Sequence, residues 1–380
     1  MNRNLMCIVP ARLDELKNKG VVSHILQRDL NGFWDKVVTV HPFCDHYSMT
    51  SFNKHHVVYE FPARDILKTL WGLPGLAREN EISAVKAHDP YWMAVIAVVV
   101  AKVCRIPFTI GIYASYELMW KVERRWANGI IKSRLFDKVL ARLMFMMANR
   151  VQPGSEDAMR WALRSGASKK KTFLVRTGGV DQVHFDKLET RHDMAIDFPI
   201  LKENHVVLSA GRLVPVRTPL DVISAFINIL AWNRDCILLL VGDGPLMGEM
   251  EKAVEQFGIK EKVRFLGFQP QDRLRDLLYV ADVLLVPLGG SGLVEACLSG
   301  TPVVAYDVDW HKELIIEGET GRLVPYRNYV AMAQATIEIL SNPEKGMVMG
   351  KKARGKAIAQ HSLEEVQKTE VKLFEGLLKW

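Results

Sequence analysis

Two successive doubly wound α/β domains are the fold class this sequence predicts, on three observations. At 380 residues the chain exceeds what one hydrophobic core usually supports. Short apolar runs alternate with longer, helix-compatible segments, the pattern of parallel α/β structure. That alternation pauses over a polar stretch near 182–204 and then starts again, as it would across a linker. A hydrophobic fraction of 49% and a charged fraction of 24% are ordinary for a globular protein and exclude a disordered or fibrous chain.

In the first domain, residues 1–185, strands are expected at Leu5–Val9, Val37–Val40, Val57–Phe61, Ala84–Ala87, Phe108–Ile112, Val151–Gln152 and Thr172–Val175. The second domain, residues 200–361, should carry strands at Val206–Ala210, Cys236–Val241, Val263–Leu266, Val283–Val286, Pro302–Ala305 and Arg322–Val324. A last segment, 362–380, has helical period, with Val366, Val371, Leu373, Phe374 and Leu377 as core contacts, and is expected to pack back on the first domain. Two such sheets imply a central cleft, with ligands at the carboxyl ends of strands.

The five cysteines, Cys7, Cys44, Cys104, Cys236 and Cys297, are scattered and form no CxxC pair. That spacing argues against a disulfide framework or a structural zinc site and suits a reducing compartment. The chain enters its first strand without a charged, then long apolar, leader, so a cytoplasmic location is expected. The most apolar run, Met93–Val103, is shorter than the roughly 20 residues that span a bilayer.

Charge is uneven. Residues 1–190 hold 28 Lys and Arg against 18 Asp and Glu, whereas the whole chain nets +7. A basic first half is suited to an anionic neighbour, such as a lipid phosphate, a membrane surface or a nucleic acid. Nucleic acid fits poorly, because the basic residues lack interleaved aromatics or a known module. Along 131–147, Ile131, Leu135, Val139, Leu143 and Met147 recur every fourth residue beside Phe136, Leu140 and Met144. Arg134, Lys138 and Arg142 form a stripe alongside. We read this as a core helix with a solvated basic edge, in preference to one lying on an anionic membrane.

Three clusters carry chemistry. Ser209-Ala210-Gly211-Arg212-Leu213 closes a strand with a glycine turn and an arginine, and Arg217 follows five residues later. Two guanidiniums of this kind clamp a diphosphate and stabilise the charge that develops as it leaves. Val241-Gly242-Asp243-Gly244-Pro245 follows another strand; by itself it is ordinary turn punctuation. Pro287-Leu288-Gly289-Gly290-Ser291-Gly292-Leu293-Val294-Glu295 is a glycine-rich turn opening a helix, which offers free N–H groups to phosphate. Glu295 is placed to accept hydrogen bonds from ribose hydroxyls. Asp307-Val308-Asp309 spells a metal-binding DxD, but no metal is expected, because arginines and amides already neutralise a diphosphate here. Trp310-His311 beside it reads as part of a donor or acceptor pocket.

The order GRL, GDGPL, FLGF, ADVLLVP, a glycine-rich loop with Glu-Ala, SGTPVVA and EGETGRLVP resembles the GT4-type family of retaining GT-B glycosyltransferases. The match is strong over 205–325. It is looser in the first half, at Lys19-Gly20-Val21-Val22, Ala87-His88-Asp89-Pro90, Asn149–Glu156 and Gly178-Gly179-Val180-Asp181. The resemblance implies two Rossmann-like domains, a UDP- or GDP-sugar as donor, a glycan or lipid-linked acceptor, and hexosyl transfer with retention. It implies that Arg212 and Arg217 bind the diphosphate, with Gly20, Gly211, Gly242, Gly290, Ser291, Gly292 and Leu293 near the donor and Glu295 on the ribose. His88 joins Arg212 and Arg217 as a catalytic candidate; His24 reads as a surface residue.

The chain departs from the family at three places. The family's paired glutamates sit eight apart, and eight before Glu295 stands Pro287. The strand Phe108–Ile112 leads to Tyr113 where the family has a sugar-facing histidine. Arg217 stands for the usual lysine, followed by Thr218 in place of glycine. The donor-phosphate site therefore reads as kept and the sugar-reading site as altered. The expected activity is glycosyl transfer without a metal cofactor, in polysaccharide or glycolipid synthesis, peripheral to the inner face of the membrane. A nucleotide-sugar-binding protein without turnover and a nucleotide-sugar epimerase are the alternatives.

Overall fold

The computed structural model describes residues 2–18, 26–113, 116, 139–177, 179–186 and 203–379. The chain divides into two compact units, one of residues 1–116, 124–176 and 366–380, the other of 117–123 and 177–365.

The first unit holds a seven-stranded sheet: β1 (Asn4–Ile8), β2 (Lys36–Cys44), β3 (Ser48–Asn53), β4 (His56–Pro62), β5 (Ala84–Ala87), β6 (Phe108–Ile112) and β7 (Arg150–Pro153). Its order is β3-β4-β2-β1-β5-β6-β7, parallel except for β3, which runs antiparallel to β4. Strand β3 was not expected from the sequence. Four of its six residues are polar, Met49 and Phe52 being the exceptions, and they alternate between half-buried and exposed, as an edge strand with one wet face does. The strand expected at Thr172–Val175 does not form. This segment runs beside β7 and gives it the N–H groups of Phe173 and Val175, but only Thr172 makes a ladder bridge, with Val151.

Alternation along the central strands sends Met6, Ile8, Val38, Val40, Val85 and Ala87 to one face, under the helices Ile66–Glu79 and Trp92–Cys104. Leu5, Cys7, Val37 and Ala84 point to the other, where the helix Leu363–Leu378 lays Leu373, Phe374 and Leu377 on them. Phe374 meets Trp34 edge-on, ring centres 4.9 Å apart.

Of the expected amphipathic helix, 131–138 lie outside the described residues and 139–147 are helical. The core face there is Ala141, Met144, Phe145 and Ala148, while Val139, Leu143, Met146 and Met147 are exposed. The described part of the every-fourth-residue stripe, Val139, Leu143 and Met147, is thus at the surface, because a true helical face recurs at three and four in alternation.

The second unit holds β8 (His205–Ala210), β9 (Cys236–Val241), β10 (Val263–Gly267), β11 (Val283–Val286), β12 (Val303–Asp307) and β13 (Arg322–Pro325), all parallel, in the order β10-β9-β8-β11-β12-β13. Strand β9 is apolar and buried throughout, as a parallel strand covered on both faces must be. Residues 179–186 belong to this unit, and Val180 bridges to Ser362. Among the described residues no helix is long and apolar enough to cross a membrane.

Candidate functional site

In the second sheet the chain runs from β8 outward through β9 to β10, then returns to β11 on the other side of β8. The crevice beyond the carboxyl ends of β8 and β11 is therefore the topological switch point, where doubly wound sheets bind ligands. The two loops that leave these strands are Gly211-Arg212-Leu213 and Pro287–Gly290, so the topology brings the two main motifs side by side.

Backbone hydrogen bonds fix the first loop. Gly211 donates to Val241, Leu213 to Asp243, and Gly242 to Gly267. Gly242 has φ +129°, and a Cβ there would lie 2.0 Å from the Gly211 carbonyl. Its glycine is required by that close approach, which builds the loop from behind.

Arg217 ties the two loops together. It ends the 3₁₀ turn Pro215–Arg217, and its Nη1 lies 2.8 Å from where a Gly211 Cβ would stand. On the other side its Nη2 lies 3.9 Å from the corresponding point on Gly290. A guanidinium set between two glycines at the carboxyl ends of these strands is placed to meet a diphosphate. Burial and the neighbouring Arg212 hold the Arg217 pKa down, and Glu295 opposes them. An arginine pressed this way gains most from an anion. Arg212 is exposed.

The second loop opens the helix Ser291–Leu298. The first N–H groups of a helix have no intrahelical acceptor, so those of Ser291 and Gly292 are open to a ligand. Leu293 is different. Its side chain is buried in the core and its N–H is spent on the Gly290 carbonyl at 3.2 Å, so it shapes the loop from inside. Glu295, a turn further on, has its carboxyl pushed up by burial, with His184 and Arg217 pulling it back down.

Two histidines frame this site: His184, which no motif singled out, and His311, which the sequence placed in a donor or acceptor pocket. His184 sits in the 3₁₀ turn Gln182–Phe185 with its Nε2 buried and without a partner among the described residues. His311 is fully buried and accepts the Gly289 N–H at Nε2, 3.0 Å away. Nothing in their immediate sequence marks either contact, since both join segments far apart in the chain.

In the first unit the corresponding switch point lies between β1 and β5. His88 follows β5 directly and its N–H bonds to the Ile8 carbonyl at 3.0 Å. Its ring stands 5.1 Å from that of Tyr113, and its Nε2 is buried and unpartnered among the described residues. Tyr113 folds back over Gly111, where a Cβ would come within 2.4 Å of the ring. Burial, with Arg28, Lys86 and His41 nearby, keeps His88 neutral far below the ordinary histidine range. Gly20 and His24 lie outside the described residues.

Comparison with known proteins gives this geometry a setting. Residues 193–356 match the family model described as glycosyl transferases group 1. The phosphatidyl-myo-inositol mannosyltransferase of Mycolicibacterium smegmatis is 34% identical over 201 residues, 50% of this chain and 48% of that protein. The 2-deoxystreptamine glucosyltransferase of Streptomyces kanamyceticus is 29% identical over 242 residues, 60% of each chain. These matches span roughly half the length of the curated relatives. Among solved structures, Anabaena Alr3699/HepE, in complex with UDP and glucose, superposes with a TM-score of 0.78 over 99% of this chain and 100% of its own. At 16% identity, that likeness is one of fold.

Proposed function

We propose that this chain, which belongs to the glycosyl transferases group 1 family through residues 193–356 and has the two-domain GT-B fold, is a hexosyltransferase using a nucleotide-sugar donor. The observation that carries the reading is Arg217 set between Gly211 and Gly290 at the β8/β11 switch point. The solved neighbour holding UDP and glucose and the relatives named for glucosyl and mannosyl transfer support a UDP- or GDP-hexose.

In the proposed reaction, the bond from the anomeric carbon to the diphosphate oxygen breaks. Arg212, Arg217 and the amides at Ser291 and Gly292 take up the charge that develops. The acceptor hydroxyl attacks the same face and passes its proton to the departing phosphate, so configuration is retained. No strong protein base is needed, and a tyrosine at 113 is compatible with turnover. Because arginines do the neutralising, EDTA should leave turnover unchanged; loss restored by a divalent ion would refute that part.

The acceptor we propose is a glycan or a lipid-linked molecule at the cytoplasmic membrane face. On the helix Ile66–Glu79, Leu67 and Trp71 are 71% and 85% exposed, one turn apart, beside exposed Arg64 and Lys68. An exposed Trp flanked by cations is suited to an anionic lipid interface. Flotation with anionic vesicles tests this, and a lack of salt-sensitive binding would refute it.

A thermal-shift panel of UDP, GDP, ADP and their sugar conjugates tests the donor site directly, since a ligand of the folded state raises the melting temperature with its affinity. A shift with UDP or GDP followed by hexosyl transfer is expected. Pro287 in place of a sugar-binding carboxylate favours one second reading, donor binding without turnover. A shift without transfer to any acceptor would establish it.

A further inference from the structure

His311 follows the turn after β12 and starts the short helix His311–Leu314. Its side chain is 0% exposed and makes two hydrogen bonds, each to backbone. Nδ1 lies 2.9 Å from the Tyr306 carbonyl, and Nε2 lies 3.0 Å from the Gly289 nitrogen. A carbonyl accepts and an amide donates, so the two contacts define one state of the ring: neutral, with its proton on Nδ1. Burial, with Arg217 adding to it, holds the imidazole neutral down to about pH 4, against the pull of the Tyr306 carbonyl.

The loop that His311 grips begins at Pro287 and runs into the helix Ser291–Leu298. Pro287 has no N–H, and a Cβ on Gly289 would stand 2.6 Å from the Leu293 Cβ, so the backbone there is pressed onto its own helix. Immediately after Gly289 come Gly290, against Arg217, and the open N–H groups of Ser291 and Gly292. The imidazole joins the end of β12 to the start of this loop.

The type of acceptor matters as much as its position. A buried carboxylate would also take the Gly289 N–H, but it would pair with Arg217 and compete with an incoming diphosphate. A neutral ring nitrogen holds the loop and leaves that charge free. We propose that His311 is a positioning residue: as a neutral acceptor it sets the Gly289–Gly292 loop in its anion-binding conformation while leaving Arg217 unneutralised. This assignment rests on the donor-site reading above and names the group that preorganises it.

The test is titration calorimetry of the whole protein with UDP and with GDP, on the wild type and three variants. His311→Ala removes the acceptor, and His311→Gln restores an uncharged one. Met332→Ala opens a cavity in the core cluster of the second unit to which Leu293 does not belong, as a control for general loss of stability. The assignment expects His311→Ala to weaken the nucleotide that binds by about tenfold or more, with His311→Gln recovering most of it. Met332→Ala, compared below its melting transition, should bind as wild type does. Wild-type affinity in His311→Ala, an equal loss in Met332→Ala, or no recovery in His311→Gln would each overturn it. If the wild type bound neither nucleotide, the donor-site reading would fall first and this assignment with it.

Discussion

Beyond β8 and β11 the second unit offers mainly backbone: Gly211, Gly290 and the first turn of the helix Ser291–Leu298, with Arg217 between them. Within and just after β1 and β5 the first unit offers buried side chains instead. Thr39, Cys7, Lys86 and Thr109 are register neighbours across four strands, and His41 and His88 stand two residues further along β2 and after β5. Arg28 donates to the Thr39 hydroxyl at 2.9 Å, and Lys86 pairs with Glu370 of the last helix. The same topological position is thus built once from amides and once from titratable groups. Amides keep one state at every pH and need only space. Buried ionisable groups depend on one another, so the first unit should be the more fragile to charge changes and the second to loop geometry.

The largest expected effect is at the pair that closes the first unit's polar row. The Lys86 and Glu370 side chains are only 9% and 11% exposed, and Gln152 also donates to Glu370, at 2.8 Å. Burial alone would lower the Lys86 pKa, but Glu370, with Tyr113 and Cys7 adding, raises it above the usual value. Glu370→Ala leaves an uncompensated buried ammonium and should cost about 3–5 kcal/mol in denaturant unfolding. The double variant Lys86→Met with Glu370→Leu should recover most of that. A double variant as unstable as the single would mean that packing of the last helix, and not the charge, decides stability there.

Acid separates the two units further. Burial, aided by Arg28, lowers His41 to about 4, and His56 and His88 are lowered too, while in the second unit burial lowers His311 to about 4. A histidine held below its unfolded value is neutral in the fold and protonates more readily in the unfolded chain. Stability is then full above the unfolded value near 6.5 and falls as pH drops toward the folded value. For His41 the loss across that window is at most roughly 3 kcal/mol. Hydrogen exchange from pH 7 to 4 should show protection lost in the first unit before the second, with His41→Gln flattening the slope. Simultaneous loss, or loss first in the second unit, would break the comparison.

The contrast also explains what could be read from the sequence. Both sheets, and twelve strands of the thirteen now assigned, follow from apolar runs and their punctuation. The amide-built site was legible because its parts are contiguous: Gly211-Arg212 and Gly289-Gly290-Ser291-Gly292 each lie within one turn. The side-chain cluster was not, because Lys86 and Glu370 stand 284 residues apart and only the closing helix joins them. His311 was read as part of a donor or acceptor pocket, but its contact escaped for the same reason, reaching back 22 residues to Gly289. Strand β3 was hidden by its polar composition, which is natural at an edge but looks like a loop. Gly242 reads as a ligand residue in sequence, yet its place is fixed by the Gly211 carbonyl behind it.

Arg217 sharpens the second unit's side of the comparison. If its role is to meet charge between two loops, Arg217→Ala should lower kcat/KM by one to two decades, about 1.5–3 kcal/mol, while barely changing the melting temperature. Lysine at 217 should keep part of the activity, because it returns the charge without the two-pronged geometry. A large fall in melting temperature with unchanged kcat/KM would assign Arg217 to structure alone.

The smallest effect tests whether loop geometry in the second unit is under strain. Thr218 follows Arg217 at φ +46° and ψ 48°, in the left-handed region, where a β-branched residue is an outlier. Its hydroxyl is buried without a partner among the described residues, and it precedes the helix Pro219–Trp232 with no side-chain cap bond. The backbone gains there, with the Thr218 N–H on the Pro215 carbonyl and the Asp221 N–H on the Thr218 carbonyl, but the side chain gains nothing, so a threonine in place of glycine costs stability, by about 1–2 kcal/mol on the usual scale for that conformation. Glycine would relieve the strain but lose chain entropy on folding. Thr218→Gly should therefore be neutral to stabilising by about 1 kcal/mol in denaturant unfolding. Activity separates what the threonine is for. If the glycine variant is more stable but turns over more slowly, the strain is holding Arg217 in place between its loops. Unchanged turnover would make Arg217's position independent of the residue that follows it.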